Sequence, residues 1–202
     1  MFLVSANFGN VSENVGDIQQ FAFHSMEEAK ENFRKLIKDS FKKIDLKPIS
    51  LERLKRLEDI ETGRFSARLG GIENDDTIDY TFVLEDKNNE KRIELILEPY
   101  SELKNINRIY TVIDDCSDLT GVGGFISYAF KTRKQANEKY QQLARQALRD
   151  FDIDNFELKN FVKGKSVNDI YNVDYRNDDF RIHSDKLEHN QELIMIKEVG
   201  VK

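Results

Sequence analysis

Tryptophan is absent from this chain of 202 residues, and cysteine and proline are nearly so, with one and two copies. A single cysteine, Cys116, excludes an internal disulfide and makes a reducing, cytoplasmic setting the default expectation. No stretch approaches the roughly 18 consecutive apolar residues that a membrane-spanning helix needs, so no membrane partner is expected. Residues 1–7 lack both a basic start and a long apolar run, and they read as a first strand rather than as a signal peptide. Positive charge is also in deficit: 31 Lys and Arg against 37 Asp and Glu leave a net charge of −6. That balance opposes attraction to a phosphate backbone, so direct nucleic-acid binding is not expected. No serine stands in a G-x-S-x-G context, and no glycine run leads into Lys-Ser or Lys-Thr.

What remains is a chain that is 39% hydrophobic and 34% charged, the balance of a globular and highly soluble protein. It also reads as though written twice. Phe21-Ala22-Phe23-His24-Ser25-Met26-Glu27-Glu28-Ala29 is echoed by Tyr128-Ala129-Phe130-Lys131-Thr132-Arg133-Lys134-Gln135-Ala136. Farther on, Phe33 meets Tyr140, Leu36 meets Leu143, Phe41 meets Leu148 and Ile44 meets Phe151. A second echo sets Phe82-Val83-Leu84 against Phe180-Arg181-Ile182, and Glu94-Leu95-Ile96-Leu97 against Glu192-Leu193-Ile194-Met195. Two repeats follow, 1–103 and 104–202, each within the usual size of a domain. The first holds 15 basic and 21 acidic residues and the second 16 and 16, so the whole negative excess lies in the first.

Each repeat opens with two predicted strands, over 2–8 and 19–24 in the first and near 108–114 and 124–130 in the second. A helix follows, announced by Ser25-x-x-Glu28 and Thr132-x-x-Gln135, both of capping-box form. Ala29, Phe33, Leu36, Ile37, Ser40 and Ile44 recur at spacings of three and four and form one buried stripe. Ala136, Tyr140, Leu143, Ala144, Ala147 and Phe151 repeat it. The copies then diverge. The first shows a short helix from Ser50, with Leu51, Leu54 and Leu57 at spacings of three, and a strand near 64–69; the second reads as a strand over 156–162. A hairpin closes each. The expected fold is α+β: a tandem duplication of a β-β-α-(x)-β-β unit, its antiparallel sheets each covered by an amphipathic helix, the copies related by a pseudo-twofold axis.

Candidate chemistry is sparse. Asp150, Asp152 and Asp154 have the spacing of an EF-hand start, but Asn155 replaces the turn glycine and Phe161 the closing glutamate. Gly121-Val122-Gly123-Gly124 reads as a hairpin turn, because strand-like residues follow it rather than a helix. Cys116 lies among Asp114, Asp115 and Asp118, whose charges oppose a thiolate. His183 and His189 flank the last turn, and a zinc or iron site there would need a third ligand. Recut to begin at the second strand, each copy reads β-α-β-β-β. That order is similar to the paired modules of the vicinal-oxygen-chelate (glyoxalase-like) superfamily, which place His and Glu ligands on strands. The resemblance implies His24 and Glu98 for that part in the first copy, with Lys131 and Glu198 facing them in the second, an incomplete metal set. No cofactor or metal is expected.

The polar feature that does recur is an acidic stretch before each closing hairpin: Glu73, Asp75, Asp76 and Asp79 in the first copy, and Asp174, Asp178 and Asp179 in the second. Asn and Asp at such places serve turns by bonding their own backbone. The functional reading is a contact ridge for a partner with a basic surface. The expectation is therefore a non-enzymatic protein-binding module, monomeric or weakly homodimeric. Such a module suits an inhibitor of a host defence enzyme carried by a phage or mobile element, or an immunity protein that neutralises a toxin. Two alternatives stand: a ligand-binding or metal-dependent enzyme with a pocket between the repeats, and a structural component of a phage or secretion system.

Overall fold

A computed structural model describes residues 1–10, 17–57, 59–74, 78–87, 91–117, 123–153, 157–162, 164–167, 170–184 and 191–202. The chain divides into unit 1, Met1–Asn107 with Gly200–Lys202, and unit 2, Arg108–Val199. Unit 1 runs β1 (Phe2–Asn10), β2 (Asp17–Phe23), α1 (Met26–Lys43), α2 (Leu51–Leu57), β3 (Asp59–Glu61), β4 (Phe65–Glu73), β5 (Ile78–Asp86) and β6 (Lys91–Pro99). Unit 2 runs β7 (Arg108–Ser117), β8 (Gly123–Phe130), α3 (Arg133–Asp150), a 3-10 turn (Leu158–Phe161), β9 (Lys165–Val167), β10 (Tyr171–Tyr175), β11 (Asp179–Ser184) and β12 (Gln191–Gly200). The sheet orders are β2-β1-β6-β5-β4-β3 and β8-β7-β12-β11-β10-β9, the same path twice. The fold is α+β, and its two antiparallel six-stranded sheets agree in size and strand order as a duplicated unit requires.

Both long helices start where their cap residues stand. Ser25 accepts from the Glu28 N–H, and Thr132 makes both halves of the box with Gln135. The apolar stripe of α1 lies on one face of its sheet, where Phe33, Phe41, Leu54, Phe82, Leu84 and Leu95 are fully buried. In unit 2, Tyr140, Ala144, Leu148, Phe161, Phe180 and Ile194 form the corresponding core. The aromatic at the same place on each helix stacks on a sheet tyrosine: Phe33 on Tyr80 at 5.9 Å and Tyr140 on Tyr175 at 5.8 Å between ring centres. The last residues serve unit 1, since Val201 makes a parallel bridge to Ala22 and the His24 N–H donates to the Lys202 carbonyl.

Two expectations change. The segment expected as a strand over 156–162 holds a 3-10 turn, Leu158–Phe161, which buries Leu158 and Phe161 in the core, as alternate exposure on a strand would not. The hairpin echo is also one residue out of step. Phe82 pairs with Leu95 and Phe180 with Ile194, so the paired residues are 13 apart in unit 1 and 14 apart in unit 2. Glu192 therefore matches Ile93 rather than Glu94. In the first hairpin Phe2 pairs with Phe23 and Tyr110 with Phe130, so Val4 matches Val112 and Ala6 matches Asp114. A slip of one residue moves a side chain to the other face of a sheet.

Candidate functional site

The acidic positions separate by what surrounds them. Glu73 ends β4 on the face that α1 and α2 cover. Lys30 reaches it at 2.7 Å while also pairing with Glu27 at 3.1 Å, and Lys55 and the Tyr80 hydroxyl bond its other oxygen. The Lys30 bond comes first among the causes that hold the Glu73 carboxyl at about 2, followed by those of Lys55 and Tyr80. This knot closes one wall of an open cleft of about 860 Å³ lined by Met26, Leu69, Gly70, Gly71, Asn74 and Tyr80. In unit 2, Asp174 pairs with Arg176 at 2.7 Å, Asp178 with Arg133 at 2.5 Å and Asp179 with Arg181 at 2.8 Å. Asp75 and Asp76 lie outside the described residues, as do His189, Asp154, Asn155, Gly121 and Val122.

Glu73 is thus a structural tie, and its sign can be worked out. A carboxylate held below its ordinary value stabilises the fold fully above about 4.5, and that stability is lost as pH falls through about 2. Glu73→Gln is expected to cost unit 1 about 2 kcal/mol near neutrality, discounted because the carboxylate is partly exposed. Urea melts at neutral pH check this, and an unchanged midpoint would show the knot to be energetically idle.

Asp79 differs from these. It is exposed on β5, facing away from α1, with Ile72 of β4 as its Cα partner and Glu98 of β6 on its other side. Burial, then the charge of Asp79, raises the Glu98 carboxyl; the Tyr100 hydroxyl donates to it at 3.3 Å. Neither acid has an ion pair among the described residues. Ile72, beside them, is 61% exposed, the most exposed of the large apolar side chains among the described residues. Two like charges on neighbouring strands next to a bare isoleucine are unfavourable for folding alone. His24 is exposed, so the ligand pair implied by the glyoxalase-like resemblance joins an exposed His to a half-buried Glu.

The sequence reading missed a second group, in unit 2. Asp114 of β7 and Glu192 of β12 occupy the positions that Ala6 and Ile93 hold in unit 1, on the face covered by α3. Glu192 is 8% exposed, with no hydrogen bond or ion pair among the described residues. Burial, then the charges of Asp114 and Asp150, pushes its carboxyl up to about 8. Asp114 Oδ1 is buried without a donor; burial raises that carboxyl, while Lys139 opposes the rise. Lys139 itself sits 4.1 Å over the Tyr128 ring. The signal was present in the alternation Glu192-x-Ile194-x-Ile196, which sets Glu192 on the apolar side of its strand.

No family model matches the chain, and comparison with curated proteins and with solved structures returns no match.

Proposed function

We propose that the chain is a non-enzymatic protein-binding module whose partner presents a basic surface, and that the contact centres on Ile72, Asp79 and Glu98 of unit 1. The observation that carries this reading is the uncompensated Asp79–Glu98 pair beside the exposed Ile72. Glu73, Asp174, Asp178 and Asp179 already have cations within the chain, so they offer little charge to a partner. Among the described residues Asp79 and Glu98 have none, and a lysine or arginine set against them would neutralise both while the isoleucine is covered. An apolar centre with a charged rim is the usual anatomy of a protein contact. The negative excess of the first repeat would steer a basic partner to this unit. Such a module acts by occupying its partner's surface, as an inhibitor or an immunity protein does.

The test is retention of a basic protein from host lysate by the immobilised wild-type chain and by Asp79→Lys. The expected result is one stoichiometric partner, lost at least tenfold on charge reversal, since a close charge pair at an interface is worth about 1.4 kcal/mol or more. Equal retention by both proteins, or no retained protein at all, would count against the reading.

A further inference from the structure

We propose that Asp114 and Glu192, with Asp150 at the rim, form a binding site in unit 2 for a small hydrated divalent cation of the Mg²⁺ or Mn²⁺ type. The proposal stands apart from the partner reading, which concerns unit 1. Three observations carry it. The first is placement: β7 and β12 are neighbours in the sheet, and both acids face α3. The second is Glu192 itself, a residue more than nine-tenths buried with no hydrogen bond or ion pair among the described residues, on the strand next to that of Asp114. The third is the sister unit, where alanine and isoleucine fill the same two positions within an ordinary core. A fold that builds this corner from apolar residues once, and the second time from two acids without a hydrogen bond or ion pair among the described residues, has exchanged stability for chemistry.

The ligand class follows from the donors. Carboxylate oxygens suit hard cations. Among the described residues no three His, Cys, Asp or Glu form a group that could hold a metal directly. Zinc, which takes three or four protein ligands, and calcium, which takes six to eight oxygens, are therefore poorly served. Magnesium and manganese keep several waters and bind through one or two carboxylates. Exposure falls from Asp150, which is exposed, to half-buried Asp114 and then to buried Glu192. The strand beyond Asp114 is the sheet edge β8, where its Cα partner Ile126 is 52% exposed. Lys139, the cation that acts on Asp114 among the described residues, lies over the Tyr128 ring and is bonded to neither acid.

The test uses the full chain and Mn²⁺ alone, with bound ion measured from loss of the free-ion electron paramagnetic resonance signal and Mg²⁺ added as competitor. The wild type is expected to take up one equivalent, displaced by Mg²⁺, with a rise in melting temperature. Glu192→Gln, which keeps the shape, should bind at least tenfold more weakly. The double variant D114A/E192I, which carries the residues of unit 1, should bind none and remain folded by circular dichroism. No uptake by the wild type at millimolar Mn²⁺, or undiminished uptake by either variant, overturns the assignment.

Discussion

Glu192→Ile is expected to stabilise unit 2 by roughly 3–5 kcal/mol at about pH 9, and by much less at about pH 5. The reason is the cost of ionising this carboxyl where it lies. In the unfolded chain it titrates near its ordinary value, whereas in the fold burial and the negative charges of Asp114 and Asp150 push it up to about 8. Below about 4.5 the group is neutral in both states and costs only its unmade hydrogen bonds. Between about 4.5 and 8 the folded state holds a proton that the unfolded state has released, so stability declines steadily as pH rises. Above about 8 the full penalty is present, at about 1.4 kcal/mol for each pKa unit between the two states. Isoleucine removes that term and restores the packing that Ile93 makes in unit 1, where it is 3% exposed. Urea denaturation of wild type and variant across this range measures it. A gain of the same size at both ends would show that burial of the charge is not the cause. A loss at alkaline pH would show that the carboxylate is held by a partner instead.

What the sequence made legible follows from how local each signal is. The two long helices were readable because a cap and a stripe are contained within a few turns, and Ser25 and Thr132 cap α1 and α3 as expected. The closing hairpins were readable as strands for the same reason. Register is not a local property. It depends on how many residues the turn holds, and one extra residue between the paired positions of the second hairpin turns Glu192 from an echo of Glu94, which lies on the sheet face away from α1, into the counterpart of the core residue Ile93. The acidic ridge was legible as composition but not as electrostatics. Nothing in the spacing shows that Arg133, far upstream on α3, meets Asp178, or that Lys30 and Lys55 converge on Glu73 from two helices. Among the described residues, ion pairing divides the predicted acids into Glu73, Asp174, Asp178 and Asp179, already neutralised, and Asp79, which is not. The 3-10 turn at Leu158–Phe161 escaped because alternating apolar residues over a short run fit a strand or a turn equally well.

The second large effect is expected at a pair of adjacent glycines that composition cannot tell apart. Gly71→Ala should destabilise unit 1 by roughly 3–5 kcal/mol, while Gly70→Ala should change stability by less than about 1 kcal/mol. Gly71 has φ +127°, a conformation side-chain-bearing residues rarely adopt, and a Cβ placed on it would stand 2.0 Å from the carbonyl oxygen of Asp79. The obstacle is backbone of the paired strand, so no rotamer change relieves it; β4 must move away from β5 at the pair Gly71–Tyr80. Gly70 meets nothing within 4 Å at its own Cβ position. The consequence of moving β4 here reaches beyond stability. Ile72 and Glu73 follow directly, the one on the proposed contact face, the other tying Lys30, Lys55 and Tyr80 together on the opposite face. One glycine thus sets the aim of both. If Gly71→Ala melts like the wild type, the strand has an alternative path and the positive φ is not required. If it melts early yet binds the partner undiminished, Ile72 lies outside the contact, and the interface must be sought elsewhere on unit 1.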